Sequence, residues 1–215
     1  MKSFLSIDSP IIAFLTKLAD MILLNLAFIL LSVPVFTIGA STTALYRVMI
    51  DRKNQDESGI LPLFSDAFCE NFKSSTKLFL ILLLPQAIAV YYTMMLFEGA
   101  FSYSTVLTVI SLIVVIVFEM IWSFTWPLQA KYENTPGRIV KNALLLSLAH
   151  LPTALIMSVL NVLPTVVLLW KPYLFVRISI IWILFGFALT AKINTALADK
   201  VFATLIPPES PDEEK

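Results

Sequence analysis

MILLNLAFILLSVPVFTIGASTTALY, Met21 to Tyr46, runs for 26 residues without a charge between Asp20 and Arg47. A helix rises about 1.5 Å per residue, so roughly 20 apolar residues cross the hydrocarbon core of a bilayer. This stretch is longer than that. Four more follow it: Leu78 to Phe97, Gly99 to Ala130 broken only by Glu119, Asn142 to Trp170 with one histidine inside, and Tyr173 to Ala191 with Arg177 near its start. Lipid offers no partner to backbone N–H and C=O groups, which leaves helices or closed barrels, and unbroken apolar runs without alternation select helices. The expected fold is all-α: a polytopic membrane helix bundle with about five transmembrane helices. They are placed near 16–37, 78–97, 104–128, 143–169 and 173–195, in a single domain over 1–205.

Composition leads to the same solvent. Of 215 residues, 58% are hydrophobic and 14% charged, against roughly 45–50% and about 25% in soluble domains. A water-soluble globule of this size could not hide that much apolar surface. Fifteen Lys and Arg balance fifteen Asp and Glu, so there is no basic field for nucleic acid. Lone Cys69 cannot form an internal disulfide, and no Cys/His cluster calls for a metal or other cofactor. The opening MKSFLSIDSP shows no cleavable signal pattern. The last ten residues, IPPESPDEEK (206–215), are Pro-rich and acidic and are expected to be disordered.

Lys and Arg set orientation. With five spans and the C-terminus in the cytoplasm, eleven of the fifteen cations lie inside and Lys2, Lys17, Lys171 and Arg177 outside. The expected topology is therefore N-terminus outside, C-terminus cytoplasmic, in a cell membrane. Ile11 to Leu18 could alternatively form its own interfacial helix.

Several local devices have mechanical meaning. In SVPVFTIGASTTALYRVM (32–49), Pro34 ends or kinks the first span, Gly39 offers a turn, and Ser41, Thr42 or Thr43 can cap a short helix to about Ile50. In LPLFSDAFCENFKSSTK (61–77), Phe64, Phe68 and Phe72 recur every four residues, the pattern of a cytoplasmic amphipathic elbow helix between spans one and two. Both segments are candidate partner contacts. Thr135 and Pro136 mark a helix start, and Pro152 and Pro164 should bend the fourth span.

Charges at membrane depth cost about 2.5–3.5 kcal/mol on insertion scales. By residue counting, Glu119 and His150 stand at similar heights on adjacent spans and form a candidate intramembrane polar pair, either a structural clamp or a proton-coupling site. Asp20 is placed in the outer half of the first span, where Arg177 or Lys17 could neutralise it. Asn25 and Asn161 are candidates for interhelical hydrogen bonds. No GxSxG, HExxH, paired intramembrane aspartates or glycine-rich phosphate loop accompanies these groups, so no catalytic set is expected.

Three blocks, Leu23–Met49, Phe64–Leu84 and Trp126–Pro152, resemble the YesL-like family of bacterial integral membrane proteins. The PxxTxGxxxxAL element carries most of the likeness, here Pro34, Thr37, Gly39, Ala44 and Leu45. The element with Pro127, Leu128, Lys141, Asn142 and Pro152 comes next. That resemblance implies a Gram-positive host and a gene neighbourhood of carbohydrate ABC importers. The implied role is a non-catalytic accessory subunit that contacts membrane lipid and the permease subunits. Pro34, Thr37, Gly39, Thr42, Leu45, Phe64, Phe68 and Phe72 are its candidate contact residues. Independent, proton-linked solute transport and modulation of a sensor histidine kinase are the alternative roles.

Overall fold

The computed structural model describes residues 10–53, 59–97 and 105–205; the acidic tail over 206–215 lies outside them. Every element among the described residues is helical. In order they are α1 (Pro10–Ser32), a 3-10 turn (Val35–Thr37), α2 (Ile38–Lys53), α3 (Ile60–Phe97), α4 (Thr105–Lys131), α5 (Pro136–Ala149), α6 (Leu151–Trp170), α7 (Pro172–Ile181), a π-helical turn (Trp182–Gly186) and α8 (Phe187–Ala203). Five helical stretches are long and apolar enough to cross a membrane: Pro10–Ser32, Ile60–Leu96, Thr105–Lys131, Leu151–Trp170 and Pro172–Ala203. The bundle is inside-out relative to a soluble protein, with large apolar side chains such as Leu30, Val106, Val159 and Trp170 facing outward.

Two expectations about helix continuity need correction. The elbow helix does not exist as a separate element, because α3 is one 38-residue helix that passes straight through Lys73 and Lys77. Charges end a lipid-soluble run but not a helix, and Gly59 is the nearest upstream breaker. The fourth span is split at His150, which leaves helical geometry (φ −125°, ψ 51°), two residues before Pro152. Proline has no N–H and its ring crowds the carbonyl four residues back, here Leu148, so the ladder breaks ahead of Pro152, which sits in the first turn of a new helix instead of bending an old one. Pro85, Pro127 and Pro164 lie inside their helices.

The centre of the bundle is α2, which is not among the five long apolar helices. Ala40, Ser41, Thr43, Ala44, Leu45, Tyr46 and Val48 are all buried. Its hydroxyls do not cap it as expected: Thr42 and Thr43 donate back to the carbonyls of Ile38 and Gly39 at 2.7 and 3.0 Å, which lets polar residues sit in an apolar core. Gly39 is not a turn residue either. It sits within α2 where a Cβ would collide with the Ser75 carbonyl and come within 2.6 Å of the Phe79 Cβ. The small side chain is what allows α2 and α3 to approach closely. Thr37 makes the corner, donating to the Pro34 carbonyl at 2.6 Å and to that of Leu31, and so satisfies carbonyls at the open end of α1.

Helix ends sort by charge. Asp20 of α1 pairs with Arg52 of α2 at 2.8 Å, and Lys131 of α4 pairs with Asp199 of α8 at 2.9 Å. Arg47 reaches the Ala130 carbonyl at the end of α4 (3.1 Å) and Asp51 (3.0 Å), a cation on the negative pole of a helix. Lys171 and Arg177 lie near the far end of the rod that runs through α7 into α8. The starts of α1 and α3 and the ends of α2, α4 and α8 thus gather at one charged end. An odd number of crossings would separate the start of α1 from the end of α8; the α1–α2 hairpin supplies the extra reversal.

Candidate functional site: a polar seam and its cavity

Four helices are laced by one run of side-chain hydrogen bonds. Ser123 of α4 lies 3.2 Å from the Ser158 hydroxyl and accepts from the Asn161 amide of α6 at 3.0 Å. The Asn161 carbonyl accepts from Asn194 of α8 at 2.8 Å, and Asn194 also donates to the Tyr46 hydroxyl of α2 at 3.0 Å. Where lipid competes for nothing polar, such bonds hold helices in register. Asn161 was expected to bridge helices, and it does so twice.

Asn25 performs a second kind of clamp. Its amide donates to the carbonyls of Trp182 (3.0 Å) and Ile183 (2.7 Å), and its oxygen accepts from the Ala188 N–H at 2.9 Å. A π turn displaces the helical ladder and leaves backbone groups over; one fully buried amide from α1 collects three of them. The turn forms around Gly186, whose missing Cβ leaves space for the Trp182 ring, 2.6 Å from where that atom would stand.

Beside the seam lies a cavity of about 180 Å³. Trp122, Trp126, Trp182 and Tyr46 give it aromatic walls, and Thr42 and Asn161 add polar ones. The indole N–H groups of Trp126 and Trp182 have no hydrogen-bond partner. Aromatic faces with idle donors and no charge suit a small, neutral, polar guest.

The expected pairs resolve differently. Glu119 accepts a hydrogen bond from Gln86 of α3 at 2.7 Å, while among the described residues His150 makes backbone bonds, to Leu146 and from Ala154. The two positions do stand at similar height, since the Ser147 hydroxyl of α5 donates to the Met120 carbonyl of α4 at 2.9 Å, but the Glu119 carboxylate is engaged by Gln86. Asp20 is paired to Arg52 and not to Arg177, whose guanidinium sits 5.8 Å from the Tyr173 ring centre. These two residues occupy opposite ends of the bundle.

Most of the candidate partner contacts are consumed by the chain itself. Leu45 and Phe64 are 2% and 1% exposed and fill the core between α2 and α3, so neither can meet a partner. Thr37 and Gly39 are likewise buried, and Thr42 lines the cavity. Pro34 is exposed, and Phe68 and Phe72, half-buried, stack edge-on at 5.5 Å. Gln86 and Asn194 were missed. Each is an amide within an apolar run, the same signal that picked out Asn25 and Asn161.

Among the described residues, no group of three His, Cys, Asp or Glu side chains converges to hold a metal. The fold and seam define a multi-pass helical membrane protein. Residues 21–93, from α1 into α3, match a family model described as a protein of unknown function, DUF624, the family to which YesL-like proteins belong. No curated protein and no solved structure matches the chain.

Proposed function

We propose that the chain is a non-catalytic subunit of a bacterial plasma membrane, assembling with the permease subunits of a carbohydrate ABC importer and supporting sugar uptake. The observation that carries the non-catalytic half is the fate of the polar groups at depth. Ser123, Asn161, Asn194, Asn25 and Glu119 are each spent on bonds between helices, which is a scaffold's use of them. The importer half rests on the YesL-like resemblance; the family matched over 21–93 carries no assigned role. The same reading departs from the expected outside N-terminus and takes the start of α1 as well as the end of α8 to be cytoplasmic, because the cation-rich end of the bundle belongs there.

Affinity purification of the tagged chain in mild detergent tests the assembly. Permease subunits should be recovered with it, and substitution of the half-buried aromatic pair near the charged end, Phe68→Ser with Phe72→Ser, should weaken recovery. Intact, monodisperse protein that never brings a permease down overturns the proposal. A second reading, solute transport by the chain alone, is favoured by the aromatic cavity with its idle Trp126 and Trp182 donors. Sugar flux into liposomes holding only this protein would select it.

A further inference from the structure

The charged end of the bundle contains a second, larger cavity of about 410 Å³, bounded by α1, α2, α8 and the first residue of α3. Its walls are largely apolar, with Met21, Leu24, Val48 and Ile60 among them. Three cations, Lys17, Arg52 and Lys192, line it against a single acid, Asp20. That acid is taken, since Arg52 holds it at 2.8 Å. Lys17 and Lys192 are exposed and make no ion pair among the described residues. On the wall, Thr195 is 4% exposed and its hydroxyl has no hydrogen-bond partner. A buried hydroxyl left unpaired costs about 1–3 kcal/mol, so a ligand that accepts from it recovers a real penalty.

We propose that this cavity binds a phosphate group carried on an apolar body. The two ammonium groups neutralise the phosphate, the Thr195 hydroxyl donates to one of its oxygens, and the apolar part lies along Leu24 and Val48. The cavity is open at its mouth and sits where α1 and α8 reach the charged end, the depth at which basic pockets between helices take anionic lipid heads. A soluble organic phosphate offers the same head without the tail. The site is independent of any permease partner.

The full chain, purified in neutral detergent, is titrated by native mass spectrometry with dioleoyl phosphatidylglycerol, dioleoyl phosphatidylcholine and glycerol 3-phosphate. Phosphatidylglycerol should bind preferentially, and Lys17→Gln with Lys192→Gln should weaken it about tenfold or more. The exposed control pair Lys73→Gln with Lys77→Gln should leave it unchanged. Thr195→Val should weaken binding about three- to tenfold while the ligand-free protein melts at the same temperature or higher, which a merely structural hydroxyl would not do. Binding of glycerol 3-phosphate as tight as that of the lipid, with the same lysine dependence, identifies a soluble phosphate as the source and overturns the role given to the apolar wall, and binding of the lipid alone identifies the leaflet. Equal retention of phosphatidylcholine, indifference to the Lys17/Lys192 pair, or equal loss in the control pair overturns the proposal.

Discussion

The Asp20 carboxylate lies 2.8 Å from the Arg52 guanidinium, so the first half of α1 and the last turn of α2 share one end of the bundle. Asp199, near the end of α8, is at that end too, on Lys131. With Cys69 replaced by serine, single cysteines at Thr16 and Lys200 should react with a membrane-impermeant maleimide from the same side of sealed vesicles. One at Lys171 should react from the other. If position 16 labels together with 171, the hairpin reading of α1 and α2 is wrong.

Asn25 satisfies three backbone groups that the π turn leaves over. Asn25→Leu keeps the branched outline, though it is bulkier, and removes every bond, stranding two carbonyls and one N–H away from water. The expected loss is about 1–3 kcal/mol, read as a lower melting temperature in detergent. Asn25→Asp keeps the acceptor for Ala188 but adds a charge beside the Trp182 and Ile183 carbonyls, and should be no better. A leucine variant as stable as the parent would mean that the π turn relaxes to ordinary helix once its clamp is gone.

The same substitution should act with opposite sign at two glycines. Gly39→Ala puts a methyl against the Ser75 carbonyl, where backbone, not a flexible tip, must give way; overpacking of this kind costs about 1–3 kcal/mol. Gly137→Ala, in the first turn of α5, meets nothing within 4 Å and should stabilise by about 0.5–1 kcal/mol through the unfolded chain. Melting curves of the two variants side by side check both. Equal effects would deny that α2 and α3 are held at backbone contact.

The spans were legible because lipid solubility is written in uninterrupted apolar length, which needs no knowledge of neighbours. Helix continuity was not, since Lys73 and Lys77 mark where lipid solubility stops and say nothing of where α3 stops. The central place of α2 was hidden for the opposite reason. Its Ser and Thr residues read as surface, and only the fold shows hydroxyls of Thr42 and Thr43 turned back onto carbonyls of their own helix. Paired charges were found as individuals and mispaired. Asp20 met Arg52 across the α1–α2 hairpin, a reversal that counting long apolar runs does not register, because α2 is too polar to be counted.

Gln86 and Glu119 give the sharpest separation between a scaffold and a proton-linked carrier. The amide of Gln86 donates to the Glu119 carboxyl at 2.7 Å; together they tie α3 to α4. If the pair is a clamp, Glu119→Gln still offers a carbonyl oxygen to Gln86 and should change stability by less than about 1 kcal/mol and leave uptake intact. Gln86→Leu removes the donor, leaves Glu119 without its hydrogen bond in a half-buried position, and should cost about 1–3 kcal/mol. A carrier that moves protons through Glu119 reverses the order, because Glu119→Gln then abolishes proton-coupled uptake while the melting temperature barely moves. Measuring both quantities on both variants therefore decides the role of the pair, and a stable Glu119→Gln protein with no uptake would remove the scaffold reading of this contact.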